Sequence, residues 1–267
     1  MPLAVCATPI GNLEDVTLRV LDELREADLV LAEDTRHSRR LLERHGIRAP
    51  LLSYHEHNEA KRVSELLPRL RAGERLALVS DAGLPAISDP GARLVSAALD
   101  AGVPVTVLPG PSAVETALVA SGLMSERYQF LGYLPRGERA LLELGDELAR
   151  WPWAVVAFES PQRLARSLGV LARVIPDRQC AVCRELTKRF EEVSRGSISE
   201  LAARVSGPVK GEVTLVLGAA AVAEAGDEGA VAAVAELVEA GLPRRRAADL
   251  VAGLTGASRN RLYRGSL

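Results

Sequence analysis

VSDAGLPAISDPG, residues 79–91, closes the apolar run RLALVS and leads into a stretch of helical period, roughly 91–101. A short apolar run, a polar loop rich in Gly and Pro and then a helix make half of a crossover unit. The same order recurs from residue 3 to about 122. LAVCA, DLVLAED, LLSY, RLALVS and VPVTVL read as strands, with helices expected near 16–27, 36–46, 59–72, 91–101 and 112–121. This alternation predicts a largely parallel sheet covered on both faces. In such sheets ligands bind outside the carboxyl ends of the strands. Three unusual loops end there: TPIGNLEDVT after the first strand, SDAGLPAISDPG after the fourth and LPGPSA after the fifth.

A second set of elements begins near residue 123. YQFLGYL, WAVVAFES, QCAVCREL and EVTLVLG read as strands, with helices near 138–150, 161–173 and 198–205, which predicts a second α/β domain with a mixed sheet. After Gly218 the chain turns rich in Ala and Glu, with a linker-like AGDEG at 225–229 and a helix expected over 229–240. In the closing stretch Pro243 suits a helix's first turn, Gly253 and Gly256 can end that helix, and Ser258 can cap another. The expected units are 1–122, 123–221 and a helix-turn-helix-like appendage at 222–267.

The 267 residues are 48% hydrophobic, enough to bury a sizeable core, and carry a net charge of −2. That balance excludes nucleic-acid binding by overall charge, so a basic footprint must be local. It lies in residues 242–267, where six arginines face the single acid Asp249, leaving +5 there and −7 on the rest. The N-terminal stretch has no basic, apolar leader pattern, and no run of about eighteen apolar residues occurs. The chain is expected in the cytoplasm, away from membranes. Cys180 and Cys183 form a CxxC inside a strand pattern, where positions i and i+3 point to opposite faces, and no second pair completes a zinc site.

None of the three loops carries the Gly pattern that cradles pyrophosphate, nor the P-loop lysine. Gly and Pro allow close approach of backbone while Pro withholds N–H donors, a lining that suits a purine, a ribose and a positive centre better than phosphates. Asp81 and Asp89 are alternatively hard-cation ligands, and Asp89, before Pro90-Gly91, is alternatively the N-cap of the following helix.

Nine stretches in order carry a resemblance: TPIGNLEDVT (8–17), AEDTRHSRRLL (32–42), SYHEHNE (53–59), SDAGLPAISDPG (80–91), LPGPSA (108–113), FLGYLP (130–135), FESPQRL (158–164), RELTK (184–188) and KGE (210–212). Over about residues 3–218 the chain resembles the bacterial small-subunit ribosomal RNA 2′-O-ribose methyltransferase I family. The resemblance implies two α/β domains of the tetrapyrrole-methylase type with a cofactor cleft between them, plus the small helical appendage. It also implies S-adenosylmethionine as cofactor, a cytidine ribose in the decoding region of the small ribosomal subunit as acceptor, and a homodimer. Carried over by motif, the cofactor positions are Pro9, Ile10, Gly11, Asp81, Ala82 and Gly83, then Ser88, Asp89, Ser112, Ala113 and Leu131. Three positions depart from the family pattern: Leu84 replaces the usual Thr, Phe158 the usual Tyr and Gln162 a common His. Phe158 has no hydroxyl and Gln162 cannot act as a base at neutral pH.

A ribose hydroxyl is a poor nucleophile while protonated, so a base or an alkoxide-stabilising group should assist. The candidates are His55, Glu56 and His57, with Glu59 nearby, at the end of the third strand, and Glu159 and Lys188 from the second domain. The first group is alternatively a solvated strand end leading into a helix, the second an ion-pair network with Arg184 and Glu185. His55 and His57 share a face if the strand continues, but no third metal ligand is identifiable. Arg36, Arg39 and Arg40 are phosphate contacts or a solvated helix face. Arg244, Arg245, Arg246, Arg259, Arg261 and Arg264 are expected to anchor the protein on ribosomal RNA phosphates, since the major groove of A-form RNA is too narrow for a reading helix. Two rival readings are a same-fold enzyme acting on a tetrapyrrole precursor or a modified protein side chain, and a DNA-binding regulator. Aromatic residues make up only 3% of the chain, few for stacking a macrocycle.

Overall fold

Every residue of β1 (Leu3–Cys6), β2 (Leu29–Ala32) and β4 (Leu76–Val79) is buried, as their unbroken apolar runs require when helices cover both faces of a sheet. The computed structural model describes residues 2–220 and 227–267. With β3 (Leu51–Ser53) and β5 (Val105–Leu108) these strands form one parallel sheet in the order β3-β2-β4-β1-β5. Helices α1 (Leu18–Glu26) and α2 (Thr35–Arg44) bury Val20, Leu24 and Leu41 against one face. Helices α3 (Glu59–Arg71) and α4 (Ala92–Asp100) bury Leu66, Leu70 and Leu94 against the other. All loops leaving the strands therefore open at one edge.

The next helix, α5 (Ala113–Ser121), does not complete that layer. It places Val114, Ala117 and Leu118 on Val156, Ala181, Cys183 and Val216 of the second sheet. The expected boundary at 122 follows the chain order, whereas the packing boundary falls before Ala113. That sheet comprises β6 (Tyr128–Tyr133), β7 (Ala154–Glu159), β8 (Gln179–Arg184), β9 (Glu192–Ser197) and β10 (Val213–Leu217), in the order β6-β7-β10-β8-β9. It is mixed: only β6 and β7 run parallel. The edge strand β9, EVSRGS, was not among the expected strands because its one apolar residue, Val193, gives no alternation to read. Helices α6 (Glu138–Leu148), α7 (Leu164–Leu171) and α8 (Ile198–Arg204) cover the face opposite α5.

Cys180 packs in the core beneath α6–α8 and Cys183 against α5, on opposite faces of β8. Burial pushes Cys180 up to about 12 and Cys183 up to about 11, which suppresses the thiolate that redox or metal chemistry needs. In the appendage, α9 (Asp227–Glu239), α10 (Arg244–Thr255) and α11 (Arg259–Gly265) enclose a core of their own, centred on Val234, Ala247, Ala248, Val251 and Leu262. Gly256, in the left-handed region at φ 72°, ends α10, while Gly253 lies inside it. The expected boundary at 221/222 and the first residues of AGDEG lie outside the described residues. Among the described residues no helix is long and apolar enough to cross a membrane.

Candidate active site

The loops after β1 and β4 are tied to each other before either meets a ligand. The Thr8 amide donates to the Gly83 carbonyl at 2.8 Å and the Gly83 amide donates back at 3.0 Å, while the Thr8 hydroxyl reaches the Ser80 carbonyl at 3.0 Å. Beyond Gly83 the loop passes through the left-handed region at Ala86 (φ 71°), Ser88 (φ 62°) and Gly91 (φ 138°). Two non-glycine residues in that region store backbone strain, which a fold retains where a loop's shape matters. Gly91 is required twice over: its φ disfavours a side chain, and a Cβ there would stand 2.8 Å from Leu78 Cδ2. Gly91 is also the N-cap position of α4, so Asp89 does not cap that helix as the Asp-Pro-Gly pattern had suggested.

Asp89 instead lines a cavity of about 470 Å³ formed by both sheets, within the range of small-molecule sites. The first domain contributes Ile10, Asp81, Ala82, Gly83 and Ser88, along with Ser112 and Ala113 at the start of α5. The second contributes Tyr133, Phe158, Val213 and Thr214. Phe158 meets Phe130 and Tyr133 edge to face, with ring centroids 5.0 and 5.6 Å apart, giving one apolar wall.

The opposite character comes from charge. Among the described residues the lining holds the carboxylates Glu33, Asp81, Asp89, Glu159 and Glu212 and no Lys, Arg or His. Asp81 is fixed by the Asp34 amide, which donates to its Oδ1 at 3.1 Å and links the ends of β2 and β4. Burial, reinforced by the negative charge of Glu33, raises the Asp89 carboxyl to about 6, against the pull of a hydrogen bond from Ser80. Burial and the nearby Asp81 also raise Glu33, with His55 opposing. Like charges crowded in a half-buried space favour a cationic ligand and oppose a phosphate.

Several expected residues lie elsewhere. Pro9 is buried and, like Leu131, is absent from the lining; Leu131 packs toward the α6–α8 core because successive strand residues face opposite ways. Gly11 and Lys188 line a separate groove on the far side of the TPIGN loop. Lys188 bonds to Glu185 at 2.8 Å and, at 2.9 Å, to Glu212 of the cavity lining, so it joins the two sites. Glu159 touches the cavity, but its carboxylate is held by the Ser160 amide at 2.6 Å, the Ser167 hydroxyl and Arg163, and its side chain is fully buried.

The third strand ends at Ser53, so His55, Glu56 and His57 form a turn into α3 rather than a shared strand face. Asn58 Oδ1 accepts from the His55 amide at 2.9 Å. Glu56 and His57 are exposed; His55 is half-buried, and its Nδ1 has no hydrogen-bond partner. The next acid, Glu59, accepts from Tyr54 and from the Gly91 amide, both at 3.0 Å, and thereby tethers the strained loop. Of the departures from the family pattern, Leu84 and Phe158 line the cavity, while Gln162 lies outside it and accepts from the Ser160 hydroxyl at 2.7 Å.

Arg36 folds back on Asp34 at 2.6 Å, which depresses the Asp34 carboxyl, whereas Arg39 and Arg40 are exposed on α2. In the appendage Arg244 bonds to the Ser266 carbonyl and Arg259 pairs with Asp249 at 2.7 Å. Arg245, Arg246, Arg261 and Arg264 present exposed side chains. Tyr133, Thr214 and Glu212 were not singled out as site residues. For Tyr133 the signal lay in FLGYL: Gly132, at φ 68°, sits where β6 bulges and so re-aims the tyrosine that follows.

Residues 2–202 match the family described as Tetrapyrrole (Corrin/Porphyrin) Methylases. The chain is 44% identical to a protein of Mesorhizobium japonicum named ribosomal RNA small subunit methyltransferase I, over 98% of this chain and 90% of that one. It is 45% identical to the protein of the same name from Thermotoga maritima, over 80% of this chain and 97% of that one. Among solved structures it resembles the methyltransferase CobJ (TM-score 0.64, 21% identity, 82% of this chain and 94% of that one). It also resembles the uroporphyrin-III C-methyltransferase of Thermus thermophilus complexed with S-adenosylhomocysteine (TM-score 0.57, 22% identity, 81% and 96%). At such identities the two structures show the shared fold.

Proposed function

The chain belongs to the ribosomal RNA small subunit methyltransferase I family and is an S-adenosylmethionine-dependent ribosomal RNA methyltransferase; we propose that its acceptor is the 2′-hydroxyl of a cytidine ribose in the decoding region. The observation that carries the cofactor's place is the lining of the cavity between the sheets: an aromatic wall and the carboxylates Glu33, Asp81 and Asp89, which, unlike Glu159 and Glu212, are not neutralised by a Lys or Arg ion pair among the described residues. S-adenosylmethionine, when bound, supplies an electrophilic methyl group on a sulfonium cation. Glu33, Asp81 and Asp89 would meet its positive charge, the Phe158 wall its purine, and the Gly83 and Ala113 backbone would approach it closely.

Methyl transfer is an in-line displacement, so the protein's main task is alignment of the hydroxyl. For the proton, His55 is our choice among the candidates. It stands near enough to Glu33, which lines the cavity, for their charges to interact. Replacing it should lower kcat by about a hundredfold, within the usual reach of general-base catalysis, and leave cofactor affinity unchanged. Glu159 would position Ser160 and Arg163. The basic appendage would hold ribosomal RNA phosphates, and the protein would work in the cytoplasm as a homodimer, which sedimentation can test.

The deciding experiment transfers labelled methyl groups to small ribosomal subunits lacking the modification, with naked RNA and a porphyrinoid precursor in parallel. Alkali-resistant label at one cytidine supports the proposal. Label elsewhere, or only in the porphyrinoid, overturns it.

A further inference from the structure

The TPIGN loop has two sides. Ile10 faces the cofactor cavity, whereas Gly11 borders an open groove of about 630 Å³ whose other walls include Asn12, Glu14, Arg44, Thr187, Lys188 and Arg189. Three cations and one acid line it, the reverse of the cavity a single residue away. Lys188 is held by Glu185 and Glu212, but the two arginines are available to a ligand. Arg44 and Glu14 form a pair at 2.5 Å with both side chains about 60% exposed, a surface contact that phosphate can replace at little cost. Arg189 enters no ion pair among the described residues; its guanidinium lies 5.5 Å from the ring centroid of Phe190. Phe190, outside the groove's own lining but next in the chain to Arg189, is 68% exposed. A solvated phenyl ring flanked by arginine is the platform on which an unpaired base stacks, and a duplex offers no such base.

The loop that carries these groups is shaped for display. Glu185 (φ 53°) and Thr187 (φ 64°) both occupy the left-handed region, and the Thr187 hydroxyl is buried without a partner. Glu185 is anchored by Lys188 and by the Glu212 amide at 3.0 Å, which fixes the turn that sends Arg189 and Phe190 outward.

We propose that this groove binds a single-stranded segment of the ribosomal RNA substrate, with an unpaired base stacked on Phe190 and the backbone phosphates met by Arg44 and Arg189. The inference rests on the function proposed above and adds the place where the strand enters: a segment held there is separated from the cofactor cavity by the thickness of one loop.

The test measures binding of the full-length protein to unmodified small ribosomal subunits and, separately, methylation of them, for wild type and the variants Phe190→Ala, Phe190→Trp and Arg189→Ala. Phe190→Ala should weaken particle binding roughly tenfold, in the range of lost base stacking, with cofactor affinity unchanged. Phe190→Trp should restore binding. Arg189→Ala should reduce the salt dependence of binding by about one phosphate contact, which Phe190→Ala should not do. Equal particle binding by all three variants overturns the groove, as does conversion of a dimer to monomers by Phe190→Ala, which would make the ring a contact between copies. If wild type binds particles through Phe190 but does not methylate them, the proposed function falls while the groove stands.

Discussion

Gly11 and Leu186, from loops belonging to different sheets, approach so closely that a Cβ on Gly11 would stand 2.8 Å from the Leu186 carbonyl oxygen. The same Cβ would lie 2.5 Å from Lys188 Cγ and 2.8 Å from Thr187 Oγ1. A flexible lysine stem can retreat, but a backbone carbonyl in a strained turn cannot do so cheaply. Gly11→Ala should therefore cost about 1–3 kcal/mol, the usual penalty of overpacking, and weaken both cofactor and RNA binding. Thermal unfolding and calorimetric titration of the cofactor check this.

Asp89 makes stability depend on pH. Unfolded, its carboxyl titrates near 3.8; folded, near 6. Between these values the folded state holds a proton that the unfolded state has released, so this group's contribution to stability falls as pH rises toward and through 6 and levels off above it. Asp89→Asn should raise the melting temperature at pH 7–8 and change little near pH 4. A bound sulfonium favours the ionised carboxylate, so wild-type cofactor affinity should rise from pH 5 to pH 7 and the Asn variant should flatten that rise. Equilibrium binding across this range gives the answer.

Removing Glu159 should damage the fold before the chemistry. Its carboxylate holds Arg163, Ser167 and the Ser160 amide in a buried cluster. Glu159→Ala strands the arginine and should cost about 3–5 kcal/mol. Turnover per folded molecule of the milder Glu159→Gln variant should stay within several-fold of wild type; a hundredfold loss without a change in melting temperature would make Glu159 catalytic.

The appendage encloses its own apolar core, so its surface arginines can be changed without disturbing the cofactor cavity. Replacing Arg245, Arg246 and Arg264 with Ala should lower the salt dependence of ribosomal-particle binding by about two to three phosphate contacts. Affinity for S-adenosylmethionine should not move.

Period and punctuation made most of this fold legible. Apolar runs separated by helical stretches gave the parallel sheet, and the density of Gly and Pro in 80–91 marked a wall of the cavity. Strand alternation predicted the opposed burial of Cys180 and Cys183, which the two cores display. Other features depend on information that residue order does not hold. Nothing in AVETALVAS says which of two sheets it will cover. Lys188, expected beside the cleft, bonds to Glu212 of the cavity lining while itself lining the neighbouring groove, an arrangement set by the positive φ angles at Glu185 and Thr187. Leu131 faces the other core by the strand alternation that the motif match ignored.

The crossing of α5 to the second sheet has a mechanical consequence. A protein whose two halves meet only through a linker can swing open like a book, but here a helix that follows directly from the last strand of one sheet is glued along its length to the other. Ile10 and Ala82, from the loops after β1 and β4, pack into the same apolar cluster, so spreading the halves would break that contact. Opening the cleft thus exposes apolar surface to water, and movement of the rim loops is the less costly route for cofactor exchange.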